Sequence, residues 1–215
     1  MLIRSWRGVA LAVIALSAVI GIQGTAAAQT IIDQWSSTAV PPAPELKPAR
    51  LDAKTTGLIV MDFVKQTCNE KARPSCVASL PKVKAMIAAA KAKNVAVIWT
   101  IIAGPKIDDY LPDVAPPAGT QPIVGQIDKF VGTDLEKTLK DKGITTVVLT
   151  GTSAHGAVLF TAAGAAMRGF NVVVPVDGMS AAPSYAEQAT AWMLANLPGE
   201  ANKVTLTRGD MITYQ

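Results

Sequence analysis

From residue 55 onwards, unbroken apolar runs alternate with stretches of helical periodicity. The segment 55–63, TTGLIVMDF, is continuously apolar from Leu58 to Met61 and ends in Asp62. That is the pattern of a parallel strand covered on both faces. In 80–94, Val83, Met86, Ile87 and Ala90 share one helical face, Pro81 suits a first turn and Asn94 suits a stop. Further strands are expected at 95–102, 144–151, 171–178 and 202–208, and further helices at 133–143, 157–168 and 184–199. Thr133 and Glu136 have capping-box spacing, and Gly143 and Gly169 mark helix ends. Trp192 and Met193 lie on the last helix, where core burial is the commoner use of such a face and an interface the alternative. The alternation predicts an α/β fold: a doubly wound, mostly parallel sheet with helices on both faces. Ligands of such sheets bind outside the carboxyl ends of the strands, where Asp62, the turn 151–157 and Asp177 fall.

The flanks follow other patterns. Arg4 and Arg7 precede the apolar run 8–22, and a small-x-small pattern at Ala26 and Ala28 precedes Gln29. A secretory signal peptide over 1–28 is expected, and with it a periplasmic or secreted bacterial protein with no membrane attachment after cleavage. The run is short for a span, which needs roughly 20 apolar residues. Residues 29–54 are Pro-rich and lack periodicity, which predicts an extended arm before a single domain over 55–215. The segment 103–128 carries five prolines and predicts a long loop able to contact a substrate.

Composition narrows the chemistry. Half of the 215 residues are hydrophobic, enough for a large core. Removing 1–28 takes two of the 20 basic residues and none of the 16 acidic ones, leaving a balance of +2. No basic run with interleaved aromatics occurs, so nucleic-acid binding is not expected. A single histidine and two cysteines without CxxC spacing give no metal site and no cofactor motif. Cys68 and Cys76 have two open readings: a disulfide in an oxidising compartment, or free thiols.

The turn GTSAHGA at 151–157 is the candidate site. It is not a phosphate loop, because Ala157 stands where the lysine should be. Ser153 and His155 lie two apart in one turn, a spacing that seldom gives nucleophile-to-base geometry.

Gly151, Val158, Thr161, Ala162, Ala165 and Gly169 match without a gap the nucleophile-turn signature of the isochorismatase-like cysteine hydrolases. GLIVMDF and NVVVPVDG resemble two strands of the same family, and the resemblance spans about 55–195. It implies the α/β fold, hydrolysis of a small amide, a homo-oligomer, and an Asp–Lys–Cys triad. Asp62 takes the aspartate position. The nucleophile position holds Ala157, and Ala154 replaces the usual preceding threonine. The lysine position falls near Val124, and Lys129 is the nearest cation. The chemistry needs a thiolate, a base and a cation, with backbone N–H groups for the oxyanion. The expectation is therefore a small-molecule pocket, lined by Ser153, Ala154, His155 and Gly156, that has outlived its covalent step. The alternative is an active hydrolase of a C–N bond with Cys68 as a relocated nucleophile.

Overall fold

The computed structural model describes residues 29–215; the expected signal peptide lies outside the described residues. The described residues divide into two units, 29–40 and 41–215. In the first, a single helical turn, α1 (Ile31–Gln34), is capped by Thr30 and Asp33, whose carboxylate accepts from the Thr30 N–H at 2.8 Å.

The second unit is built on a parallel sheet. Its strands are β2 (Thr56–Met61), β3 (Ala96–Ile102), β4 (Ile123–Gly125), β5 (Thr146–Thr152), β6 (Asn171–Pro175), β7 (Met179–Ser180) and β8 (Val204–Thr207). The order is β4-β3-β2-β5-β6-β8, with β7 beside the end of β5. Every pairing is parallel, so each strand returns through a crossover and both faces need cover. Side chains alternate between faces. Ile59 and Met61 enter one core with α3 (Leu135–Asp141), α4 (Leu159–Met167) and α5 (Ser184–Ala195). Leu58 and Val60 enter the other, beneath α2 (Pro74–Ala92).

Several boundaries differ from the sequence expectation. The first long helix starts at Pro74, not near Pro81, which lies inside it. Packing of Cys76, Leu80 and Val83 on the sheet outweighs the backbone hydrogen bond that Pro81 cannot donate. The expected stop holds: Asn94 is left-handed, with φ 57°. The Thr133–Glu136 capping box does not form. Thr133 Oγ1 instead donates to the Lys129 carbonyl at 2.5 Å, and Glu136 pairs with Lys140 and Arg168. On α5 the buried face is Thr190, Ala191 and Leu194, while Trp192 points outward.

The long segment before β4 is anchored, not loose. Tyr110 and Val114 are buried, the Tyr110 hydroxyl donates to the Thr100 carbonyl at 2.6 Å, and Trp99 Nε1 donates to the Val114 carbonyl at 2.9 Å. The stretch expected to be an extended arm contributes β1 (Ala49–Leu51), which pairs with β9 (Ile212–Tyr214) at the end of the chain.

Gly151 marks the closest approach of β2 and β5. A Cβ there would meet Met61 Cβ at 2.8 Å and the Met61 carbonyl oxygen at 3.0 Å. A backbone atom cannot swing aside, so Gly151→Ala is expected to lower stability by roughly 1–3 kcal/mol. Urea denaturation checks this; an unchanged midpoint would refute the close contact.

Candidate active site

Each site residue is placed by a sheet end. Asp62 follows β2, and its N–H donates to the Thr100 carbonyl on neighbouring β3 at 3.1 Å. It sits at φ 61°, a left-handed conformation that aspartate tolerates better than most residues. Lys129 comes from the turn after β4. Its N–H donates to Thr161 Oγ1 on α4 at 3.1 Å, and its carbonyl accepts from Thr133. Two hydroxyls from different elements thus fix its backbone.

The two side chains meet. Lys129 Nζ lies 2.7 Å from Asp62 Oδ2, and the lysine is wholly buried. Burial pushes the Asp62 carboxyl above its ordinary value, against the opposing charge and hydrogen bond of Lys129. The other oxygen, Asp62 Oδ1, is buried without a hydrogen-bond partner. Val124, where the family pattern puts the lysine, is exposed on β4. Lys129, five residues further on, is the cation that reaches the aspartate.

Next to Asp62, β5 runs into the turn. The Thr152–Ser153 peptide is cis, and Ala154–Val158 form one wide π-helical turn before α4. The Gly156 and Val158 N–H groups both donate to the Ser153 carbonyl, at 3.1 and 3.2 Å. The turn feeds directly into α4, so backbone N–H groups and the positive helix end face this end of the sheet.

A pocket of about 290 Å³ opens here. Its lining includes Asp62, Ser153, His155, Gly156 and Ala157, as the sequence suggested. Ala154 is not among them: its methyl is fully buried in the core under α4, which the wide turn requires. No hydrogen bond joins Ser153 to His155, and His155 is exposed. From the Pro-rich segment 103–128 only Ile127 lines the pocket, because the remainder is tied to Thr100 and Trp99.

Of the two readings of Cys68, the structure has the disulfide, and the alternative of a relocated nucleophile is corrected. Cys68 is bonded to Cys76 with an S–S distance of 1.96 Å, and both residues are buried. A sulfur held in a disulfide offers no thiolate, so it cannot attack. It is also absent from the pocket lining. No group of three or more His, Cys, Asp or Glu side chains among the described residues is placed to hold a metal ion.

Sequence reasoning missed Thr67, Arg73, Ile102, Thr152 and Phe160, which complete the lining. Arg73 comes from the loop that the disulfide closes, and its Nη1 donates to Thr152 Oγ1. Nothing in their local pattern marks these residues. Only the position of Cys68 and Cys76 on either side of Arg73 hinted that the loop is held in place.

The fold has solved counterparts. An isochorismatase family protein from Desulfovibrio vulgaris superimposes with a TM-score of 0.65 at 18% identity, covering 73% of this chain and 95% of that one. An isochorismatase from Pseudomonas putida gives 0.66 at 16% identity, covering 78% and 94%. N-carbamoylsarcosine amidase from Thermoplasma acidophilum gives 0.62 at 23% identity, covering 73% and 97%. At these identities the likeness is one of fold. No curated protein matches significantly in sequence. The isochorismatase domain model matches residues 56–207, from the first residue of β2 to the last of β8. By that match over most of its length, the chain belongs to the isochorismatase family.

Proposed function

We propose that this chain is an exported family member that binds a small amide or carbonyl compound and has lost the covalent step of cysteine hydrolysis. One observation carries the reading. The Asp62–Lys129 pair is assembled at 2.7 Å beside the turn, while the position facing it holds the methyl of Ala157. Acyl transfer by a thiolate requires a sulfur there, and a methyl group has no electron pair to donate. The parts suited to binding remain. Asp62 Oδ1 can accept from an amide N–H, and turn N–H groups other than those of Gly156 and Val158 can donate to a carbonyl oxygen. The alternative of an active hydrolase using Cys68 lacks support, since that sulfur is bonded to Cys76.

The disulfide also supports export, because such bonds persist in oxidising compartments. Together with the apolar run at 8–22, it makes Gln29 the expected first residue of the mature protein. Intact mass of the chain recovered from a bacterial periplasm checks this; retention of 1–28 in the cytoplasm refutes export.

The central test compares the wild type with Ala157→Cys against a panel of small primary amides. The wild type is expected to show pocket-localised NMR shifts and no product. Ala157→Cys is expected to gain measurable amide hydrolysis, because the base and the cation are already in place. Turnover by the wild type would sink the proposal.

The ion pair makes a separate prediction. Lys129→Met removes the charge that holds the Asp62 carboxyl down, so the Asp62 pKa should rise further above its already raised position. A raised folded-state carboxyl pKa means that stability is fullest below the ordinary carboxylate value and falls as pH rises through the folded value. The variant is therefore expected to be destabilised by roughly 3–5 kcal/mol at neutral pH and by much less in acid, where Asp62 is neutral. Urea melts across that range check the sign; a deficit independent of pH would rule it out.

A further inference from the structure

Arg73 is the one permanently charged cation in the pocket lining. Lys129 lies beneath the pocket, fully buried, and its charge is matched by Asp62. The Asp62–Lys129 pair is therefore close to neutral as a unit, and Arg73 leaves the pocket with a positive excess. Among the described residues no carboxylate oxygen comes within 4.0 Å of the guanidinium. The acidic side chain that acts on it is Glu187, whose Oε1 is occupied by the Ser75 hydroxyl and the Ala181 N–H, each at 2.7 Å.

The guanidinium is also under-bonded. Nη1 donates to Thr152 Oγ1, but Nε is buried without a partner and Nη2 makes no hydrogen bond among the described residues. Nε carries the cost of an orphaned buried donor, while Nη2, which is not among the buried unpartnered atoms, is the edge left open to an anion. Partial burial pushes the Arg73 pKa down, and the charge of Glu187 opposes that shift.

Its loop is pre-ordered. Cys68 and Cys76 are bonded on either side, the Arg73 N–H donates to the Asn69 carbonyl at 2.8 Å, and the Asn69 side chain accepts from the Ala72 N–H at 2.8 Å. A side chain whose backbone is fixed loses less freedom on binding. The planar fork of arginine matches a carboxylate better than a spherical anion.

We infer that Arg73 is the carboxylate-binding residue of this pocket, and that the ligand class is a small molecule bearing both an amide or carbonyl group and a carboxylate. The inference rests on the amide-binding reading above for its first group and on Arg73 alone for its second. The pocket volume of about 290 Å³ restricts the class to compounds of small-metabolite size.

Calorimetric titration of the purified protein with succinamate, succinamide and succinate tests it, since the three differ mainly in which ends are amide or carboxylate. Succinamate is expected to bind on the order of tenfold more tightly than succinamide, the factor that one charge-assisted hydrogen bond gives. Arg73→Gln should erase that preference, and Arg73→Lys should restore part of it. Equal wild-type affinities for succinamate and succinamide, or a preference that survives in Arg73→Gln, would overturn the assignment. That wild-type comparison decides the matter even where a variant fails to fold.

The two readings fail differently. If succinate binds as tightly as succinamate through Arg73, the carboxylate assignment stands and the amide reading falls. If succinamide binds as tightly as succinamate, the amide reading stands and Arg73 is dismissed. If none of the three binds, both fall.

Discussion

The contact between Lys129 and Asp62 constrains everything around it. Taking a lysine ammonium and a carboxylate out of water carries a penalty of several kcal/mol per ion, and only close, well-formed geometry offsets it. That geometry requires β2 to end at Asp62 and the turn after β4 to pass beneath it. It also requires Thr133 and Thr161 to hold the Lys129 backbone from α3's approach and from α4. The pair therefore ties the sheet's central strand, its edge strand and the helix behind the turn to one point. Losing either partner would leave an uncompensated buried charge there.

Such a pair is poor evidence of stability for its own sake, since an apolar replacement of similar volume is often as good or better. Its presence at the carboxyl end of a central strand belongs to the chemistry of a site. Asp62 and Lys129 pair beside the turn, which keeps a wide π geometry and carries the methyl of Ala157. The backbone geometry of this turn does not depend on which side chain position 157 carries.

The disulfide contributes in a second way. By bonding Cys68 to Cys76 it removes the sulfur nearest in sequence to Asp62 from chemistry, and it holds the loop that brings Arg73 to the pocket. The same bond that excludes one catalytic route thus shapes the charge of the pocket. Two candidates read from the sequence take other places: Ala154 joins the core, and the Pro-rich segment braces β3 through Tyr110 and Val114.

By itself the sequence determined the order of strands and helices, the parallel sheet, Asp62 at a strand end and an alanine at 157 in the turn. These follow from local signals: unbroken apolar runs, helical periodicity, a dense signature around 151–169. It left β1, β4 and β9 unseen, because three-residue strands carry too little pattern to stand above a loop. It misplaced the start of α2 because Pro81 reads locally as a helix start, whereas the helix is held by its packing on the sheet. Only the tertiary structure decided which lysine meets Asp62, whether Cys68 is free, and that Arg73 reaches the pocket. Each of these depends on where distant segments cross at the ends of the strands, and no spacing along the chain encodes such a crossing.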